Sequence, residues 1–356
     1  MVILHISFTK INRLSGINEV LINLTHSQNL LKNISSHALF ISDNVTNFTD
    51  PCFYFESKLK SIKKTILRLN PEYVIFHGFY NFKYSLIASF LLLKKIPYLI
   101  QPHSSFDKNS QIHSFFRKKI ANLLILNKFR KNALSIIFLN EKEKENSYFP
   151  VDRYLIIPNG VKLRNLPFSL NSQKSTINLF YIGRIDIFHK GLDIMINFFN
   201  NISSKIKLVL NIYGTGEKKE LIKLIRKIRY SNNIFFHGAV FGKEKEKAFL
   251  DNDVFLLTSR YEGLPISILE SLSYGKPLLI TEGTNMTYLF KEFNVGKQIF
   301  DIDSDLSEIV SFLFDFSKNK EKYFIECIKC VSKNFTWDQI ASLSIEKIRN
   351  IGSINV

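Results

Sequence analysis

Three cysteines in 356 residues, Cys52, Cys327 and Cys330, are too few for a disulfide framework. Cys327 and Cys330 form a C-x-x-C in a lysine-rich segment with no second ligand pair nearby, so reduced thiols are expected. Long apolar runs are also missing. The nearest, Leu86–Leu93, is interrupted by Ser89 and stops at Lys94 and Lys95, short of the roughly 18 residues a spanning helix needs. MVILHISF at the start has no basic lead and no cleavage site, which sets the expectation of a cytoplasmic protein. No repeat and no low-complexity tail appears. Acid is scarce beside base: 31 Asp and Glu face 48 Lys and Arg, a net charge of +17. Before residue 163 there are 22 basic and 10 acidic residues, so +12 of that charge belongs to the first part of the chain. A phosphorylated substrate, an anionic lipid surface or nucleic acid could each answer it, and a bias toward Lys, Asn, Ile and Phe accounts for part of it.

What is present suffices for two cores. The chain is 46% hydrophobic and 22% charged, and its length suits two domains of ordinary size. Strand-like runs at 1–8, 37–41, 72–77, 97–101, 134–139 and 154–157 alternate with helical patterns, and the same alternation resumes at 177–182, 207–213, 234–236, 254–257 and 277–281. Such alternation implies parallel sheets, whose ligands sit beyond the carboxyl ends of the strands. Residues 1–163 are read as one Rossmann-like domain and 164–176 as a polar linker. Residues 177–335 form a second such domain, and 336–356 a terminal helix.

The most informative stretch is Leu257–Pro277, LTSRYEGLPISILESLSYGKP. Pro265 opens a helix and Gly275 with Pro277 ends it, which leaves Glu262 at the helix mouth and Glu270 two turns inside. A helix N-terminus suits a phosphate, and a carboxylate that only accepts hydrogen bonds suits a diol. Upstream, Arg184 and Lys190 are two cations six residues apart between Gly183 and Gly191, a pattern fit for a diphosphate. Asp251-Asn252-Asp253 and Asp301-Ile302-Asp303 have the D-x-D form of metal-dependent transferases, but Asp253 heads a buried strand and Asp301 a connector. No metal is expected at either.

S-x-x-E-G-L-P-x-x-x-L-E-x-x-x-x-G-K-P, with Pro158-Asn159-Gly160-Val161 before it, resembles the retaining glycosyltransferases of family 4. Their fold is GT-B: two Rossmann-like α/β domains with parallel sheets, facing across a cleft. The resemblance implies a nucleotide-diphosphate sugar as donor and no cofactor. It implies that Arg184 and Lys190 grip the pyrophosphate, that Glu262 holds sugar hydroxyls and Glu270 the ribose diol, and that N–H groups around Gly263 and Leu264 face the phosphate. Gly214 and Gly216 would line the nucleotide cleft, and His237 and Gly238 would lie by the base. In the first domain the family has a glycine pair, of which only Gly16 matches, and a His-Gly, matched here by His103 followed by Ser104. Past 281 it has a glycine pair and a glutamate where this chain has Gly283-Thr284-Asn285. His5 and His77 read as core or rim residues of their strands.

Transfer with retention to a saccharide acceptor, lipid-linked by a polyprenyl diphosphate, is the expectation that follows, in assembly of a surface polysaccharide such as O-antigen, capsule or exopolysaccharide. The basic amphipathic segment 112–133 is expected to bury its apolar stripe in the domain while its basic face looks toward an anionic membrane, placing the protein at the inner face of the cytoplasmic membrane. Two rivals stand beside this. Another GT-B chemistry, such as epimerisation or transfer to a soluble acceptor, would show in the products. A basic nucleic-acid-binding protein would show salt-dependent retention of DNA, and the chain carries no recognition module for it, so no nucleic-acid partner is expected.

Overall fold

The computed structural model describes residues 1–8, 16–42, 50–112, 118, 122, 126–164, 166–168, 176–300 and 306–353. The chain divides into two compact units, Met1–Gly160 with Trp337–Val356, and Val161–Thr336.

In the first unit seven parallel strands stand in the order β3-β2-β1-β4-β5-β6-β7. They are β1 (Val2–Phe8), β2 (Ser35–Ile41), β3 (Phe53–Glu56), β4 (Tyr73–His77), β5 (Tyr98–Gln101), β6 (Ser135–Phe138) and β7 (Tyr154–Ile156). Helices α1 (Gly16–Asn29), α2 (Leu59–Leu69), α3 (Phe82–Leu93), α4 (Lys108–Ile112), α5 (Asn127–Lys131) and α6 (Glu141–Glu145) connect them. Sheets covered on both faces need continuous apolar strands, and the middle of β1, from Ile3 to Ser7, is buried throughout. Phe129 of α5 fills the core between Phe76, Phe79 and Tyr98.

Two cations of the basic segment have described partners. Lys118 lies 5.1 Å from the ring centroid of Tyr80, and Arg130 lies 5.0 Å from that of Phe149 and donates to Pro150 O at 3.1 Å. Aromatic faces draw these charges onto the protein, while Lys128 and Lys131 stay exposed. The other positions of 113–125 lie outside the described residues.

The second unit has six parallel strands in the order β10-β9-β8-β11-β12-β13. These are β8 (Ile177–Ile182), β9 (Leu208–Tyr213), β10 (Ile234–Gly238), β11 (Val254–Leu257), β12 (Leu278–Thr281) and β13 (Gly296–Ile299). Helices α7 (Leu192–Ile202), α8 (Lys218–Ile225), α9 (Gly242–Asp251), α10 (Ile266–Ser273), α11 (Leu306–Lys318) and α12 (Lys320–Asn334) surround them. Strand order reverses between β1 and β4 in one sheet and between β8 and β11 in the other. Such switch points open crevices at the strands' carboxyl ends.

Residues around the expected linker belong to the second unit. Val161 bridges Thr336, Arg164 pairs with Glu246 at 2.9 Å, and Phe168 packs 5.5 Å from Phe324. Asp253 accepts from the Asn178 N–H at 2.9 Å and pairs with Lys320 at 3.0 Å, so its carboxylate is engaged at the amino end of the sheet. Asp301 and Asp303 lie outside the described residues. Cys327 and Cys330 are buried free thiols on α12, and burial pushes both pKa values up, that of Cys330 to about 12.

The last helix, α13 (Trp337–Ser353), returns to the first unit. Gln28 Nε2 of α1 donates to Ser344 Oγ at 2.9 Å, and Lys347 Nζ donates to Ile156 O at 2.9 Å. Among the described residues no helix is long and apolar enough to cross a membrane.

Candidate functional site

Three strand ends of the second sheet are tied together by their backbones. Gly183 N donates to Tyr213 O at 3.0 Å, Gly214 N to Gly238 O at 2.7 Å, and Ile185 N to Thr215 O at 2.7 Å. Gly214, at φ +155°, packs so closely that a Cβ there would lie 1.8 Å from Gly183 O. Ile185 forms a bridge with Gly216. The two glycines expected to line a nucleotide cleft thus also seat the loop that carries Arg184.

After that loop the chain turns at 186–190. His189 N donates to Asp186 Oδ1 at 2.9 Å and Lys190 N to Asp186 O at 3.0 Å. Gly191 follows at φ +60°, where a Cβ would stand 2.0 Å from Thr258 O, and Thr258 Oγ1 donates to Gly191 O at 2.8 Å. The turn is thereby fastened to the end of β11, across the switch point. Lys190 forms an ion pair with Glu262, which is 7% exposed and also accepts from Ser259 Oγ at 2.7 Å.

His189 joins the rest. Its ring stacks on Tyr261 with centroids 4.3 Å apart, and its Nε2 donates to Tyr261 O at 2.9 Å. Nδ1 is then the acceptor, and it faces Arg184 Nη2 at 2.9 Å. Burial holds the ring's pKa below the usual histidine value. Arg184 also pairs with Asp186 at 3.1 Å, yet its side chain is 62% exposed and reaches outward. Arg184, Lys190 and Glu262 therefore meet at one corner of the sheet, with a cation left accessible to an anion.

Gly263 and Leu264 are buried directly before Pro265, the residue that precedes α10. Asn285 Nδ2 donates to Glu262 O, so the loop where this chain departs from the family pattern supports the site carboxylate's backbone. Glu270 lies inside α10, is 8% exposed and pairs with Lys245 of α9. His237 is exposed, stacks on Tyr213 with centroids 4.5 Å apart and meets Asn211 Oδ1 at 2.8 Å. The sequence reading missed His189, Ser259, Asn285 and Lys245 as parts of this arrangement. His189 carried a signal in its place between Arg184 and Lys190, Ser259 in opening the S-x-x-E motif and Asn285 in departing from the family pattern, whereas Lys245 carried none.

The first unit has its own cluster at the carboxyl ends of its strands. Gly16 is the exposed first residue of α1, and residues 9–15 ahead of it lie outside the described residues. His103 and Ser104 follow β5 at φ +48° and +62°, left-handed values that explain why a glycine suits position 104. Glu143 braces this turn by accepting from Ser104 N at 2.6 Å and Leu139 N at 2.7 Å. Burial pushes its carboxyl up to about 7. Behind His103 stand His77, 3.0 Å away, and His5, 2.9 Å beyond it. Both are buried, as core residues of their strands.

Residues 164–322 match the family model described as "Glycosyl transferases group 1". Two relatives set the scale of sequence likeness. An uncharacterized 41.2 kDa protein in the cps region of Klebsiella pneumoniae is 29% identical over 140 residues, 36% of this chain and 37% of that one. An uncharacterized glycosyltransferase of Methanocaldococcus jannaschii is 29% identical over 241 residues, 62% and 58% of the two chains. The chain thus spans less than two thirds of either relative. Among solved structures, Anabaena HepE in complex with UDP-glucose aligns at TM-score 0.71 with 12% identity over 98% of this chain and 99% of that one. A lipopolysaccharide outer core galactosyltransferase, WaaB, aligns at 0.67 with 15% identity over 98% and 99%. At such identities the likeness speaks to fold, and two parallel-sheet α/β domains of this kind are the GT-B fold of glycosyltransferases. The likeness to the glycosyl transferases group 1 model lies within the second unit of this chain.

Proposed function

We propose that the protein is a retaining glycosyltransferase that moves a hexose-type sugar from a nucleotide diphosphate to a saccharide acceptor. The observation that carries this is the gathering of Arg184, Lys190 and Glu262 at the β8/β11 switch point, with Arg184 exposed and Glu262 buried beside the mouth of α10. As the glycosidic bond to the donor breaks, the sugar becomes oxocarbenium-like and negative charge grows on the departing diphosphate. Arg184 and Lys190 meet that charge, and the N–H groups at the mouth of α10 add to it. Glu262, released from part of its pairing with Lys190, accepts from the sugar's hydroxyls, and Glu270 accepts from the ribose diol. His103 hydrogen-bonds the transferred sugar. With cations placed for the leaving group, the reaction needs no divalent ion.

The acceptor is a saccharide carried on a polyprenyl diphosphate, and the setting is assembly of a surface polysaccharide at the inner face of the cytoplasmic membrane. A relative in a cps region and a fold shared with a lipopolysaccharide galactosyltransferase support that choice. The excess of basic residues before residue 163 suits an anionic membrane. The bound UDP-glucose of HepE makes UDP-sugars the first donors to try.

A panel of sugar nucleotides, read by hydrolysis and by thermal shift, tests the reading. One donor at a hundred times its Kd should stabilise the chain by about 2.7 kcal/mol. No stabilisation and no hydrolysis with any donor, or turnover abolished by a chelator, would overturn it.

A further inference from the structure

The polar interior of the first unit forms an ordered chain of hydrogen bonds. His103 Nε2 is 3.0 Å from His77 Nδ1, His77 Nε2 is 2.9 Å from His5 Nδ1, and His5 Nε2 is 2.9 Å from Gln28 Oε1. The far end fixes its direction. Ser344 Oγ gives its proton to Ala341 O at 2.7 Å, so it accepts from Gln28 Nε2 at 2.9 Å. That turns Gln28 Oε1 toward Ser36 Oγ, 2.7 Å away, and toward His5. An amide oxygen only accepts, so His5 must donate from Nε2, which leaves its Nδ1 to accept. His77 then donates from Nε2 and accepts at Nδ1, and His103 donates from Nε2.

We propose that His77, His5 and Gln28 are positioning residues that hold His103 as a neutral ring with its proton on Nε2, so that its Nδ1 meets bound ligand as an acceptor for a hydroxyl. For the ligand, this rests on the sugar-transfer reading above. The chain is not a proton exit, because it ends at an amide oxygen that cannot take a proton near neutral pH. Its work is to choose one tautomer out of two. Burial agrees with neutral rings: it lowers His5 and His103 to about 4 and His77 well below its usual value. A ring fixed in this way rewards a sugar O–H and disfavours a carbonyl or phosphate oxygen at the same point.

The arrangement can be reversed by one near-isosteric change. In Gln28→Glu a carboxylate faces His5 and favours its imidazolium form. One proton then enters at His103 Nδ1, the His103 Nε2 proton passes to His77 Nδ1, and the His77 Nε2 proton passes to His5 Nδ1. The positive charge rests on His5 beside the introduced carboxylate, and His103 now donates from Nδ1. The titratable groups facing His5 are His77 from β4 and, through it, His103; Gln28 and Ser344 from the two helices and Ser36 from β2 are neutral.

The test uses the full chain with 15N-labelled histidine. In the wild type, separate Nδ1 and Nε2 signals with the proton on Nε2 of all three rings, and couplings across both N–H···N bonds, are expected. Averaged tautomers, or a proton on His103 Nδ1, overturn the proposal. In Gln28→Glu, with folding checked by Trp337 fluorescence, His103 is expected to carry its proton on Nδ1 at low pH. The KM for UDP-glucose, or for the donor the panel selects, is expected to rise about tenfold there and recover as pH rises through the new His5 pKa. Unchanged rings and an unchanged pH profile in a folded variant overturn the proposal. If the variant does not fold, the wild-type spectra decide alone. Fixed rings in a protein that binds no sugar nucleotide would sink the sugar-transfer reading and the hydroxyl it supplies, and leave the ring assignment standing.

Discussion

From the carboxyl end of the first sheet inward the clustered side chains are uncharged and buried: His77, His5 and Gln28 behind His103. At the same end of the second sheet they are charged and paired: Lys190 with Glu262, Arg184 with Asp186, and Arg260 with Asp193. The two units thus solve the problem of interior polarity in opposite ways. Neutral imidazoles avoid the desolvation cost of ions, and since each ring must donate on one side and accept on the other, they encode direction. Ion pairs carry no such direction. Glu262 keeps a partner besides Lys190, since Ser259 Oγ donates to it.

The sharpest way to break the comparison is to neutralise the second site. Arg184→Gln combined with Lys190→Gln is expected to lower sugar-nucleotide turnover by roughly a thousandfold or more. Steady-state kinetics with the selected donor checks it, and unchanged turnover would remove the charged corner from the mechanism.

Acid should instead strike the first unit. Its folded rings at 5 and 103 take up protons only near pH 4, whereas unfolded histidine does so near 6.5. The unfolded chain therefore binds more protons in that window, and stability falls as pH drops from 6.5 to 4. At 1.36 kcal/mol per pKa unit this amounts to about 3 kcal/mol for each ring. Glu143 works the other way. Its folded carboxyl near 7 holds a proton that the unfolded one gives up near 4.5, so its contribution is lost as pH rises between those values. The rings at 5 and 103 together outweigh the one carboxyl by about 3 kcal/mol, and His77, shifted in the same direction as they are, adds to the loss expected on acidification. The chain's single tryptophan, Trp337, lies on α13 of the first unit, so its fluorescence reports the melting of this unit. A Trp-detected midpoint that stays level from pH 6.5 to 4 would contradict the neutral-ring assignment.

Smaller effects sharpen the contrast. Gly191→Ala combines a left-handed backbone with a contact on Thr258 O and should destabilise the second unit by about 2 kcal/mol. Asp193→Asn breaks a partly exposed bidentate pair with Arg260 and should cost about 0.5–1 kcal/mol. Ser104→Gly releases a strained φ of +62° in the first unit and should stabilise it by up to about 1 kcal/mol, read by urea denaturation.

The sequence made the parallel sheets legible because doubly covered strands need unbroken apolar runs, as in VFLL at 254–257. It did not reveal β3, FYFE, or β13, GKQI. Both stand at the edge of a sheet, where one neighbour and partial burial are enough and no strong pattern is required. The charged corner was partly readable, since Arg184, Lys190 and Glu262 sit in spaced motifs with glycine and proline around them. The histidine chain was not, because nothing local marks it. Only the parallel register of β1 with β4 brings residues 5 and 77 within reach, and only α1 supplies Gln28. The partners of Lys118 and Arg130 were hidden for a similar reason: the rings of Tyr80 and Phe149 are distant in the chain.

Helix α13 gives the first unit an interrupted chain: residues 337–353 join it only after 161–336 have been made. On the ribosome the second unit can therefore close while the first still waits for Ser344 to turn the Gln28 amide. The histidine chain acquires its polarity only once residue 344 has been made, after every residue of the second unit.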